Sequence, residues 1–294
     1  MIDWRPGGRR RGRRARRLRW MMMASGSALL IFGIVKLIQY GLAWNGARRT
    51  SEELRAAYQA APTEAVTQLP SEEPLPTIAP EPTASQAPEP TVSALGQPAD
   101  PTPVPRLPKG SYPYNPTLKV DSRFRFLRAE SKDIAGWLTV DSLLDEAVVQ
   151  RDNVYYLTHD ALGNENVNGA LFLDAAIDLK TRPYTLIVYG HNMKTGAMFG
   201  SLRNYENIAF YHTAPFITFD TLYEGGRYVI FAVGSVSTEE SSPYYVDFYS
   251  LRSDRIIERE AAIKALISAS SYTCPIDVRT DDQLLLLVTC VEKQ

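Results

Sequence analysis

Thr185-Leu186-Ile187-Val188-Tyr189-Gly190-His191-Asn192-Met193 is an apolar, β-branched run that stops in a glycine and a histidine. Nearly a hundred residues on, Leu284 to Cys290 repeats the pattern and stops in Thr289-Cys290. Short continuous apolar runs bounded by turn residues read as buried strands. A thiol at the end of one buried strand can be held rigidly at a cleft mouth. An imidazole at the end of a second can face it, which is the arrangement that covalent acyl transfer needs.

Further runs of the same kind surround these two: Trp137 to Val140, Glu146 to Gln150, Gly169 to Asp174, Phe216 to Thr221 and Arg227 to Val236. With Thr185 to Tyr189 and Leu284 to Cys290 they make seven candidate strands. Glu224-Gly225-Gly226 supplies the permissive backbone for a hairpin between the fifth and the sixth. Two helices are expected among them. Arg123 to Ala135 places Phe124, Leu127 and Ile134 at helical spacing, and Ser253 to Ser268 does so with Ile256, Ile257, Ile263, Leu266 and Ile267. Ser253 or Asp254 is the expected cap of the second. The folded zone, residues 112–294, therefore reads as a mainly β domain, a barrel with appended helices.

Upstream the composition changes twice. The chain has 294 residues and a formal net charge of -1, but residues 1–19 hold nine Arg against one Asp. An apolar stretch follows at once, so residues 20–44 read as a transmembrane signal anchor, long enough at about 1.5 Å per residue to cross the hydrocarbon core. Lys36 lies about one turn from Tyr40 and two from Trp44, where it can snorkel to the interface. The positive-inside rule puts residues 1–19 in the cytoplasm and everything past the span outside. A basic run abutting such a span is topogenic charge, not a nucleic-acid-binding arm, and no nucleic-acid partner is expected. A cleaved signal peptide ending near Gly41-Leu42-Ala43 is the alternative.

Residues 45–111 read as an extracellular stalk. Fifteen of the twenty prolines fall between Ala60 and Pro116. Proline removes amide donors and biases its neighbour toward extended backbone, so a solvated spacer is expected here, reaching at most on the order of 170 Å. Ser51 to Ala61 reads as a short helix ahead of it.

Several motifs then occur in order: Asp133-Ile134-Ala135-Gly136-Trp137-Leu138; Gln150 to His159 (Q-R-D-N-V-Y-Y-L-T-H); Asn168 to Asp174 (N-G-A-L-F-L-D); Tyr189 to Phe199 (Y-G-H-N-M-K-T-G-A-M-F); and Leu287-Val288-Thr289-Cys290. Together they resemble a class B sortase across most of the folded zone. The His-Asn-Met segment with its trailing Met-Phe is the specific part. The resemblance implies an eight-stranded β-barrel with N-terminal helices and a helix between the sixth and seventh strands. It implies a membrane-anchored cysteine transpeptidase of Gram-positive bacteria. Such an enzyme cuts secreted proteins at a C-terminal sorting signal and joins them to a peptidoglycan precursor or another cell-wall amine. By position Cys290 is the nucleophile and His191 the acid–base group. The partners so implied are sorting-signal proteins, the wall amine and membrane lipid.

The chain departs from the family in one respect. Sortases carry an arginine on the eighth strand, roughly ten residues after the cysteine; this sequence stops four residues after Cys290, so neither that arginine nor the eighth strand is expected in it. We read it as C-terminally truncated and expect it to be inactive as given.

Other residues have plainer readings. His159 and His212 are expected to be structural or surface residues. Two cysteines and three scattered histidines make no metal pattern, so neither metal nor cofactor is expected. Met193, Met198 and Phe199 pack the loop after the histidine, and Asp174, Asp178 and Asp220 are expected to be solvated turn residues. Two other classes remain open. One is a wall-tethered binding module with an inert Cys290; the other is a cysteine peptidase that hydrolyses instead of transferring.

Overall fold

The computed structural model describes residues 32–36, 41, 46, 48–61 and 109–289. The expected basic segment, most of the expected span, the Pro-rich residues 62–108 and Cys290 lie outside the described residues. Residues 32–36 and 41 are helical. Among the described residues no helix is long and apolar enough to cross a membrane.

Seven strands form one sheet: β1 (Ile134–Val140), β2 (Leu144–Val149), β3 (Leu171–Leu173), β4 (Thr185–Tyr189), β5 (Phe216–Thr221), β6 (Gly225–Val229) and β7 (Leu284–Val288). Their order is β6-β5-β1-β2-β3-β4-β7. The sheet curls until its outer strands approach each other, and the Tyr228 hydroxyl of β6 donates to Gln283 Oε1, just ahead of β7, at 2.8 Å. The result is a near-closed barrel around Trp137, Leu138, Leu171, Ile187, Phe199 and Phe219, all fully buried.

The expected β4 and β5 have the observed bounds. The hairpin at Glu224-Gly225-Gly226 forms as expected, with Thr221 N–H donating to the Glu224 carbonyl. β6 ends at Val229, short of the expected Val236, because the chain leaves the sheet there. Val233 N–H bonds to Ser270 Oγ, and the Val233 carbonyl accepts from Ser271 N–H.

Among the described residues four helices flank the barrel: α1 (residues 48–60), α2 (Ser122–Glu130), α3 (Ile208–Thr213) and α4 (Ile256–Ser268). Asp121 caps α2 by accepting from Arg123 N–H. This helix stops before the expected Ala135, because Ile134 belongs to β1 and pairs with Val149. α4 lies between β6 and β7 as expected. Its cap position is Arg255, which makes no side-chain cap bond, whereas Ser253 Oγ accepts from Arg255 N–H and donates to Glu258. The face of α4 also differs from expectation. Ile263 is buried, but Ile256 and Ile257 are exposed, because the inward side is built from Ala262, Ile263 and the buried Arg259. Arg259 donates to the carbonyls of Thr280 and Ser253.

Candidate active site

β4 and β7 are neighbours in the sheet. They run parallel and in register from Thr185↔Leu284 to Tyr189↔Val288. One further bond extends the pairing, Gly190 N–H donating to the Val288 carbonyl at 3.2 Å. His191 and Cys290 each follow the last residue of their strand by two positions in sequence. His191 is described; Cys290 is not, and Thr289 is the last described residue before it.

The loop after His191 folds back tightly. Gly190 has no room for a side chain, since a Cβ there would stand 2.5 Å from Leu171 and 2.8 Å from Phe199. Phe199 is fully buried and its N–H donates to the His191 carbonyl at 2.9 Å. Asn192 and Met198 form a bridge between them. The Met193 carbonyl accepts from Gly196 N–H and from Arg203 Nη2. Met198 packs against the core, so this short return fixes the backbone that carries the imidazole.

The ring itself is held by a group without a sequence signature. His191 Nε2 stands 2.7 Å from the Leu157 carbonyl. A carbonyl only accepts, so Nε2 carries the hydrogen and the neutral ring presents Nδ1 as a proton acceptor. Leu157 ends a 3₁₀ turn, Tyr155–Leu157, which rests on Gly169. Gly169 has φ +61°, and a Cβ there would meet the Tyr156 carbonyl at 2.4 Å and the Leu157 carbonyl at 3.0 Å. Only glycine lets the chain pass this close beneath the acceptor.

Among the described residues three buried side-chain oxygens lack a hydrogen-bond partner: Asn168 Oδ1, Asn192 Oδ1 and Thr289 Oγ1. Asn192 follows His191, Thr289 precedes Cys290 and Asn168 precedes Gly169. Unpaired buried polar atoms are rare and call for an explanation such as a strained or catalytic site.

Behind His191, the Tyr189 hydroxyl donates to Asp174 Oδ2 at 3.1 Å and lies 3.2 Å from the Tyr249 hydroxyl. Burial, then Tyr249 and Asp174, push the Tyr189 pKa far above the ordinary phenol value. Asp174 is only 2% exposed and also meets Arg252 at 3.3 Å. It is therefore no solvated turn residue, and neither is Asp220, which is bound by Arg123 and Tyr58. Asp178 stays exposed and caps the turn Leu179–Thr181. His159 stacks on Tyr155 at 3.9 Å with Nδ1 at the Tyr155 carbonyl, and His212 lies exposed on α3. Cys274 is a free thiol. Burial pushes its pKa up against a lowering bond from Tyr211.

No family model matches the chain. Sortase B of Listeria monocytogenes is 30% identical over 176 residues, covering 58% of this chain and 68% of that protein. Its solved structure superposes with a TM-score of 0.50, covering 57% of this chain and 94% of the other. A Bacillus anthracis protein described as similar to sortase B shares the fold at TM-score 0.61 and 24% identity, over 84% of this chain and 92% of that one. A Staphylococcus aureus sortase B–substrate complex gives TM-score 0.52 and 23% identity, over 59% and 78%.

Proposed function

Since the chain belongs to the sortase B family, of cysteine transpeptidases acting on a C-terminal sorting signal, we propose that Cys290 is its nucleophile and His191 its acid–base group. One observation carries the assignment. β4 and β7 are parallel and in register, and both candidates follow their strand ends by the same two residues.

The chemistry follows from the ring's hydrogen bond. Nδ1 is the free acceptor, so it can take the thiol proton. The thiolate attacks a peptide carbonyl of the sorting signal and the carbon–nitrogen bond breaks. His191 then returns the proton to the departing amine, and a thioester remains on Cys290. A wall amine attacks that thioester, His191 accepts the amine's proton, and the thiol is released as the new amide forms. The clients are secreted proteins with a C-terminal sorting signal, and the acceptor is the amine of a peptidoglycan precursor or another cell-wall amine. Residues 20–44 anchor the enzyme, with residues 1–19 inside and the barrel outside.

Alkylation with iodoacetamide tests the pair without a known substrate. Cys290 of the native chain is expected to react below the ordinary thiol pH range and faster than Cys274, with a pH profile that His191→Ala displaces. A profile indifferent to His191→Ala, or a rate no higher than in the unfolded chain, would overturn the assignment. With Thr–Gly peptides and hydroxylamine, a peptide hydroxamate distinguishes acyl transfer from hydrolysis to the free acid.

A further inference from the structure

The carbonyl that meets His191 belongs to an exposed turn, and three residues of 3₁₀ helix do not hold a peptide oxygen in place by themselves. Leu157 is 36% exposed, and Val154, which opens the turn, makes no side-chain cap bond. The entry of the turn is tied by Asp152 Oδ1, which accepts from Val154 N–H at 2.8 Å and from Tyr155 N–H at 2.6 Å. Its exit is tied by His159. Nδ1 of that ring stands 2.9 Å from the Tyr155 carbonyl, which also accepts from Thr158 N–H at 3.3 Å. A carbonyl only accepts, so neutral His159 carries its hydrogen on Nδ1, with Thr158 Oγ1 at 3.2 Å as a second acceptor. That is the opposite tautomer to His191. The His159 ring lies flat on Tyr155, 3.9 Å between centroids and 10° between planes, and the Arg151 guanidinium stands 3.9 Å from the centre of the same Tyr155 ring. Two planar groups that close cannot share one face, so Tyr155 is held between Arg151 and His159.

We propose that His159 is a positioning residue for His191: it closes the turn, keeps the Leu157 carbonyl aimed at His191 Nε2, and so keeps His191 in the tautomer whose Nδ1 is free to take a proton. The role rests on His191 being the acid–base group and not on which group is the nucleophile. Three successive carbonyls of the turn each have a donor. Tyr155 accepts from the His159 ring, Tyr156 from Ala170 N–H at 2.9 Å, and Leu157 from the His191 ring at 2.7 Å. The first and the last of these donors are imidazoles, and the peptide planes between them belong to one rigid turn. His159 is itself fixed from the far side. It forms a bridge with Glu165, and Asn166 N–H donates to the Thr158 carbonyl at 2.8 Å. Without the His159 ring, the Tyr155 carbonyl keeps only the longer Thr158 bond and the Tyr155 ring loses one of its two covers. The turn can then rotate its peptide planes, and the plane that meets His191 rotates with the rest. His159 acts only through that carbonyl.

The test uses the full chain in detergent with nitrogen-15 in its three histidines, and reads each ring by long-range nitrogen–proton spectra at neutral pH. In the wild type His159 is expected to carry hydrogen on Nδ1 and His191 on Nε2. His159→Ala removes ring and donor, His159→Phe keeps a ring for the stack, and His159→Asn keeps a donor where Nδ1 stood. His159→Ala and His159→Phe are expected to raise the Nδ1-protonated share of His191 by about two- to tenfold, the worth of one hydrogen bond, and to displace the pH profile of Cys290 alkylation. His159→Asn is expected to keep the wild-type His191 spectrum. An unchanged His191 spectrum in His159→Ala would overturn the proposal even if Tm falls, because His159 would then support the fold alone. His159→Asn behaving like His159→Ala would overturn it too, as would a wild-type His159 protonated on Nε2. Should His159→Ala lose its native circular dichroism, the Phe and Asn variants carry the comparison. Failure of the nucleophile assignment is a separate result: it shows as alkylation indifferent to His191→Ala, whereas this role is read on the His191 ring.

Discussion

Leu157 offers His191 a carbonyl, which accepts and never donates, so the ring's tautomer follows from the backbone at 157 and from the glycine that supports it. Long-range nitrogen–proton spectra at neutral pH are expected to show His191 with hydrogen on Nε2. In Gly169→Ala the added Cβ meets two carbonyls and the positive φ adds about 1–2 kcal/mol of strain. The tautomers should then mix, and the pH profile of Cys290 alkylation should shift with them. A lowered Tm with an unchanged His191 spectrum would reduce Gly169 to a fold residue. At this scale the sequence announced His191, because a glycine–histidine pair ending an apolar run is a side-chain pattern. It could not announce Leu157, whose contribution is a peptide oxygen that every residue carries. Asp174 and Asp220 were misread for a related reason. Their partners Tyr189, Arg252, Tyr58 and Arg123 are brought in by the fold from distant segments.

Among the elements, the strands other than β6, which stops at Val229 instead of Val236, were legible to within a few residues because period and turn residues both mark them. α2 and α4 were legible in existence but α3 was not, and α4 was not legible in facing: Ile256 and Ile257 have the right spacing, yet α4 turns Arg259 inward. α1 was readable as a helix, and nothing local told that it would cover β1 and β2, where Tyr58 stacks on Trp137 and Ser51 bonds Glu146. Its docking brings a titratable group with it. Burial raises the Glu146 pKa above the ordinary 4.5, against lowering contributions from Ser51 and Arg55, while Asp145 adds to the rise. Asp160 lines a cavity with Glu146 and Leu54. A carboxyl whose folded pKa is raised binds more proton folded than unfolded, so its contribution is full below the ordinary value and is lost as pH rises through the raised one. Asp121 acts in the opposite sense. Burial would raise it, but the Arg123 bonds and charge hold it below the ordinary value, so its contribution is lost as pH falls through that lower range. Melting curves should therefore show a decline in wild-type Tm just above pH 4.5 that Glu146→Gln flattens. Equal slopes in the two proteins would sink this account.

For the whole molecule, contacts between the outer strands and their flanks distinguish a curled sheet from a near-closed barrel; Arg182, ahead of β4, pairs with Glu224, ahead of β6, at 2.8 Å. β6 and β7 are the outer strands of the order, and Tyr228 to Gln283 links them at 2.8 Å while Gln283 Nε2 donates to the Pro183 carbonyl at 2.9 Å. Burial raises the Tyr228 pKa well above the usual phenol value, so the hydroxyl stays protonated and donating throughout the ordinary pH range. Tyr228→Phe removes that donor, keeps the ring and leaves Gln283 Oε1 without it. The cost should be about 0.5–1.5 kcal/mol, the net worth of one hydrogen bond at a half-buried acceptor. Because the bond joins outer strands whose other neighbours are intact, the loss should be uneven. Amide hydrogen exchange is expected to quicken in β6 and β7 and to stay slow in β1 and β2, which pair with strands on both sides. Uniform acceleration across all seven strands would mean instead that the Tyr228 bond supports the barrel as a single cooperative unit, and the picture of a bond that acts on the two edges alone would have to be given up.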